Sequence, residues 1–205
     1  MTPDARRIAP ETLPQPEQYR ALADRRPLWV FGYGSLMWNP GFDSEVAEPA
    51  HLFGYHRRFC IYSHHYRGTP ERPGLVLGLD RGGSCRGIAY RIAPANAPDV
   101  LDYLWSREMI SAVYCPTVAK VRVAHQRVEA LTFVANPAHD QYHTSRCCHS
   151  AAELIRSGYG SRGANRDYLV NTLGHLADIG ITDGGLRHLL HLLDAAAGSS
   201  AQTQG

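Results

Sequence analysis

A carboxylate stands where a helical pattern calls for leucine. Asn96 and Pro98 open a helix that the spacing predicts to about Met109, since Asn can cap and Pro is tolerated in a first turn. At about 100° per residue with Leu101 as origin, Leu104, Trp105 and Glu108 fall within about 60° of one line, while Asp99, Asp102 and Ser106 take the opposite face. Glu108 therefore aims into the apolar stripe. Buried there, it must be paired, hydrogen-bonded or raised in pKa, and a carboxyl of raised pKa suits general acid/base work near neutrality. Two plainer arrangements fit the same pattern: a helix that ends near Ser106 and leaves Glu108 in a loop, or a structural ion pair with a nearby arginine.

A second feature is the run Val30-Phe31-Gly32-Tyr33-Gly34-Ser35-Leu36-Met37-Trp38, where two glycines close an apolar strand. Backbone N–H groups can approach an anion or carboxylate closely at such a place, although a tight turn leaving an edge strand needs the same residues. A dinucleotide fingerprint would need Gly where Met37 stands, and Ser35 is not in a nucleophile elbow because Leu36 and Met37 follow it. His139, His143 and Cys147 recur at four-residue spacing with His149 close by, but Pro137 and the polar surroundings predict a loop, so no metal is assigned. Cys147 and Cys148 read as free thiols. Arg67 and Arg72, at the Gly68 to Pro73 loop, read as solvated and stay outside the site.

These residues need elements to place them. Segments 28–33, 51–62, 74–80, 85–92, 118–123 and 128–134 are rich in Val, Leu, Ile and Tyr and bounded by Gly, Pro or Asp, which predicts strands. The C-terminal third predicts helices: Ser150 and Glu153 have capping-box spacing, Asn165 would cap a Leu169, Leu173, Leu176 stripe, and Asp183 would cap the run from Leu186 to Leu193. Strands joined by short links, one inserted helix and helices at the end indicate an α+β fold with a small curved or barrel-like sheet.

Length and composition bound the rest. The 205 residues suit one domain, expected over 27–196, after a flexible leader at 1–26 with a helical turn near Glu17 to Ala23, and before a disordered tail at 197–205. The formal charge of +2 is spread without long runs, which argues against a nucleic-acid partner. Five Cys with no C-x-x-C and no apolar stretch of signal-peptide or membrane-span length give the expectation of a cytoplasmic protein with reduced thiols and no membrane partner.

Four separated motifs carry a resemblance. VFGYGSLMW, YRGTPERPGLVLGLD at 66–80, LWSREMISAVY at 104–114 and SGYGSRGANRDYLVNTLGHLADIGI at 157–181 together resemble the ChaC-type γ-glutamylcyclotransferases, over about 28–193. The resemblance implies a γ-glutamylcyclotransferase-like fold, a small mixed β-barrel with flanking helices. It also implies cleavage of glutathione to 5-oxoproline and Cys-Gly, with no cofactor. Glu108 matches the acidic catalytic residue, and Phe31, Gly32, Tyr33, Gly34, Ser35 and Leu36 match the loop that holds the γ-glutamyl group. Tyr114 and Tyr168 stand where tyrosines line the family's pocket. The chemistry also suits other γ-glutamyl amines or amino acids, whereas a non-catalytic γ-glutamyl-peptide module would gain little from an inward carboxylate.

Overall fold

A computed structural model describes residues 15–22 and 26–201. Five strands, β1 (Leu28–Gly32), β2 (Val46–Ser63), β3 (Gly74–Ile92), β4 (Tyr114–Val123) and β5 (Gln126–Ala135), close into a barrel in the order β1-β3-β2-β4-β5. The barrel is mixed. β1 runs antiparallel to β3, from Leu28 opposite Ile92 to Gly32 opposite Ile88, and closes parallel to β5 through Val30 and Leu131. With its helices this is the α+β barrel expected.

Several boundaries differ from the sequence reading, β2 for example starting at Val46 rather than 51. Segments 74–80 and 85–92 are one strand, because Gly82 and Gly83, at φ 98° and 67°, bend β3 without ending it, and Gly82 O meets His56 Nδ1 of β2 at 2.9 Å. A Gly-Gly-Ser cluster reads as a turn when the neighbouring strand is unknown. β4 begins at Tyr114 rather than 118, with Pro116 inside it opposite Phe133. At the other end of the chain, helix continues to Ala201, past the start of the expected tail, and the alanine run 195–197 favours that continuation.

The chain divides into two compact units, residues 1–57 with 78–142 and residues 58–77 with 143–205. In the first, α1 (Glu17–Arg20) is a single turn of the expected leader. Its Tyr19 ring lies 5.0 Å from Trp105 of α2 (Ala97–Glu108), and the Tyr19 hydroxyl donates to Pro116 O at 3.2 Å. α2 buries Val100, Leu101, Leu104 and Trp105 against Leu28, Val30, Tyr90, Leu131 and Phe133. Full burial of each such side chain is worth about 1.5–3 kcal/mol. Asn96 does precede this helix, but its side chain makes no capping bond.

The second unit holds α3 (Cys148–Ser157), the two-residue strands β6 (Tyr159–Gly160) and β7 (Gly163–Ala164), α4 (Asn165–Asp178) and α5 (Gly184–Ala201). Asp183 caps α5 as expected, its Oδ1 accepting from Leu186 N at 3.1 Å. The other two caps are corrected. α3 starts three residues before the capping-box position, with Cys147 at the cap and Ser150 inside the first turn, as the inward set Ala151, Ala152 and Ile155 requires. Asn165 is the first residue of α4 rather than its cap, because its amide is committed to the Leu75 backbone.

His143 is buried in the second unit, its Nδ1 2.8 Å from the Tyr62 hydroxyl, its N–H on Cys60 O at 2.8 Å and its carbonyl on Arg58 Nη2 at 2.9 Å. Burial, and then the Arg58 charge, hold its pKa below the ordinary 6.5. The unfolded chain thus takes up a proton first as pH falls below 6.5, and His143 contributes stability that is present above that value and lost through the folded pKa. Urea melts at about pH 7.5 and about pH 5.5 should show a smaller acid-induced drop for His143→Gln than for wild type. Equal drops would show that other groups govern the loss.

Candidate active site

The glycine loop follows β1 and contains a single 3-10 turn, Ser35–Met37. Its carbonyls are held one after another. Thr132 of β5 donates to Phe31 O at 3.0 Å, and Arg57 of β2, 5% exposed, sends Nε to Tyr33 O at 2.6 Å and Nη2 to Arg86 O at 2.6 Å. Met37 N–H donates to Gly34 O at 2.9 Å and Asn39 N–H to Ser35 O at 2.8 Å. The Tyr90 hydroxyl donates to Leu36 O at 2.8 Å and Met37 O at 3.1 Å, and burial pushes its pKa up to about 12, so it stays a donor. With these carbonyls engaged, the backbone of the loop has its N–H donors to offer incoming groups. Among the described residues no acceptor is paired with the N–H of Gly34, Ser35 or Leu36.

Gly32 is small for a packing reason: a Cβ there would stand 3.1 Å from Leu36 Cβ, tighter than most real contacts. Gly87 of β3 is under stronger constraint, since a Cβ would fall on Gly32 O and lie 2.7 Å from Phe31 Cζ. The loop's approach to the barrel thus depends on a glycine outside its own motif.

Glu108 is the last residue of α2, and its side chain is 17% exposed. The helix does not end at Ser106, and the inward placement read from periodicity holds. Burial raises the carboxyl above its ordinary 4.5, while the charge and hydrogen bond of Arg107 pull it part of the way back. Arg107 Nε lies 3.2 Å from Glu108 Oε1. Both readings of the inward Glu are therefore present together: a carboxyl of raised pKa and an ion pair.

The same guanidinium reaches the loop. Nη2 donates to Ser35 Oγ at 2.9 Å, and Nη1 to Asn39 O at 2.7 Å, Pro40 O at 3.3 Å and the Tyr103 hydroxyl at 2.8 Å. Ser35 and Glu108 are joined through one side chain. Tyr114, half-buried at the head of β4, packs on the core that holds Leu36, Trp105 and Met109. Thus Phe31, Gly32, Tyr33, Gly34, Ser35, Leu36, Glu108 and Tyr114 all belong to the first unit.

Tyr168 belongs to the second. It lies on α4, edge-on to Phe59 at 5.5 Å, with the Arg67 guanidinium 5.2 Å above its ring. Arg67 also donates to Ala164 O at 3.2 Å, so it is a structural residue of that unit rather than a solvated loop arginine. Arg107 and Arg57 are the residues that sequence reasoning passed over. For Arg107 the one available signal was its place beside an inward Glu; for Arg57 there was none, because a surface strand and a buried cation look alike in sequence. Among the described residues no cluster of three or more potential metal ligands occurs, and no helix is long and apolar enough to cross a membrane.

Comparison with known proteins places the chain among relatives. Residues 28–196 match the family described as ChaC-like protein. The chain is 38% identical over 168 residues to the glutathione-specific gamma-glutamylcyclotransferase of Escherichia coli K12, covering 82% of this chain and 73% of that protein. It is 32% identical over 173 residues to the enzyme of the same name from Schizosaccharomyces pombe, covering 73% and 83%. A yeast gamma-glutamylcyclotransferase specific to glutathione has the same fold, with a TM-score of 0.73 at 22% identity over 83% of this chain and 96% of that one. With the family model matched over residues 28–196 and a relative 38% identical over most of both chains, the chain belongs to the ChaC-like protein family.

Proposed function

We propose that this protein cleaves the γ-glutamyl linkage of glutathione by intramolecular cyclisation, releasing 5-oxoproline and Cys-Gly. The observation that carries the reading is Glu108: a carboxyl of raised pKa at the end of the apolar stripe of α2, joined through Arg107 to the loop in which the N–H groups of Gly34, Ser35 and Leu36 have no acceptor among the described residues. Relatives named for glutathione support the substrate.

The reaction needs little more than placement and proton traffic. The substrate's α-amine attacks its own γ-carbonyl, a C–N bond closes the five-membered lactam, and the C–N bond to cysteine breaks. The α-nitrogen passes from ammonium to lactam N–H and so loses two protons. Glu108 takes the first to free the attacking amine and returns it to the leaving nitrogen; the second, lost by the attacking nitrogen once the C–N bond has formed, passes to the released Cys-Gly amine or to solvent. Phe31, Gly32, Tyr33, Gly34, Ser35 and Leu36 form the substrate loop, with N–H groups for the α-carboxylate or the γ-carbonyl oxygen, and Tyr114 and Tyr168 donate to substrate. No cofactor or metal takes part. Residues 27–196 work as one catalytic domain in the cytoplasm.

Purified protein incubated with glutathione, and separately with γ-glutamyl-alanine, tests this by mass spectrometry for 5-oxoproline. Product from glutathione supports the proposal, absence of product overturns it, and a preference for γ-glutamyl-alanine moves the substrate to other γ-glutamyl compounds. Because the base must be ionised and burial raises its pKa, kcat/KM should rise with pH through an acid limb above the usual 4.5 of a glutamate. A limb at or below that value would assign proton transfer to another group.

A further inference from the structure

We infer that Arg107 is a positioning residue for this reaction: one guanidinium joins the Ser35 hydroxyl and the Asn39 and Pro40 carbonyls to the Glu108 carboxylate, and so sets where the proton carrier stands against the substrate loop. The inference rests on the reading of Glu108 given above.

The sequence position of Arg107 does not require this. An arginine in the last turn of a helix ordinarily serves that helix's own free carbonyls, and neighbours at i and i+1 diverge around a helix rather than face each other. Here they meet because α2 ends at Glu108, Met109 having left helical geometry at φ −101° and ψ 16°. Arg107 is also held from outside the helix. The contact to Ser35 Oγ spans 72 residues of sequence and that to Asn39 O spans 68.

The assignment of nitrogens shows what is fixed to what. Nε and Nη2 form one edge of the guanidinium, which carries Glu108 and Ser35, while Nη1 carries Asn39 O, Pro40 O and the Tyr103 hydroxyl. Every nitrogen of the fork is used, and the side chain is 20% exposed. A lysine offers one nitrogen at one point and cannot span these acceptors.

Two effects on the chemistry follow. Glu108 and the loop are held in one register, and small misplacements of a reacting pair are costly in rate. The second effect is charge. α2 brings Arg107 and Tyr103 to this place, the loop brings only the neutral Ser35, Asn39 and Pro40, and β4 brings Tyr114 to the same core, so Arg107 supplies the cation that acts on the carboxyl. It opposes the burial that raises Glu108.

Arg107→Gln, Arg107→Lys and Ser35→Ala in the full chain, with circular-dichroism melts as the folding control, separate the two effects. Arg107→Gln should lower kcat by up to about 100-fold with a smaller change in KM, and move the acid limb to higher pH. Arg107→Lys should restore the limb without restoring kcat, and Ser35→Ala should lower kcat with the limb unmoved. Infrared titration of the Glu108 carboxyl, identified by the band that Glu108→Gln removes, reads the pairing without turnover and should shift upward in Arg107→Gln. A folded Arg107→Gln protein with wild-type kcat, an unmoved limb and an unmoved carboxyl titration overturns the inference. An inactive wild type instead overturns glutathione as substrate, and the infrared shift still decides whether Arg107 sets the carboxyl.

Discussion

Glu108→Gln should lower the rate of 5-oxoproline formation from glutathione by at least about 100-fold, the usual loss when a general acid/base group is removed. Glutamine keeps the shape and an acceptor for Arg107, whose Ser35, Asn39, Pro40 and Tyr103 partners are unchanged. The fold should therefore survive. Stability gives an independent reading with a definite sign. A carboxyl whose folded pKa is raised above the ordinary 4.5 contributes stability that is fully present below that value and is lost as pH rises through the folded pKa. Wild type has lost that contribution at the top of the window, whereas the neutral glutamine has nothing to ionise. The variant should melt no lower than wild type near neutrality, and its advantage should shrink in acid. Near-wild-type turnover, or a variant that unfolds at neutral pH, would make Glu108 a structural residue.

Asn165→Ala should destabilise the protein by about 2–6 kcal/mol, on the ordinary cost of about 1–3 kcal/mol for each buried polar group left unpaired. Asn165 and Leu75 are both 0% exposed. Asn165 Oδ1 accepts from Leu75 N at 2.6 Å and Nδ2 donates to Leu75 O at 2.7 Å, so one amide serves both polar groups of a buried peptide. Water has little room to replace it. A Cβ on Gly158 would stand 2.7 Å from Arg67 O, 2.8 Å from Gly74 Cα and 3.1 Å from Asn165 Cβ, which shows how closely these backbones are pressed together. Urea melts followed by circular dichroism measure the change, and a loss under about 1 kcal/mol would mean that Leu75 finds other partners.

The two predictions concern residues of unequal legibility. Glu108 announces itself because helix periodicity is a local property: the residues at 101, 104 and 105 define a face, and the odd polar member is visible without any partner. Asn165 also stands out at a helix start, but its local reading as a cap is displaced by Leu75, 90 residues earlier in the chain. β3 fails in the same way. Gly82 and Gly83 satisfy every local criterion for a turn, and only His56 on the neighbouring strand shows that the ladder continues past them.

The loop shows where sequence reasoning stops. Two glycines after an apolar strand mark a place where backbone can approach a ligand, and the four motifs in order name the family that uses it. Which backbone groups remain available is decided by Thr132, Arg57 and Tyr90, each from a different strand, because they occupy the carbonyls and leave N–H groups behind.

By itself, then, the sequence determined the α+β class, the apolar faces of α2 and α5 and the inward carboxylate, since all three depend on the periodicity of neighbouring residues. In α4, by contrast, it is Thr172 rather than Leu173 that joins Leu169 and Leu176 in the core. Tertiary structure decided the barrel's closure through Val30 and Leu131, the polarity of the loop and the pairing of Glu108 with an arginine that also grips Ser35. Those outcomes depend on groups tens of residues apart that meet only when the sheet closes, and no local pattern encodes which donor reaches which carbonyl.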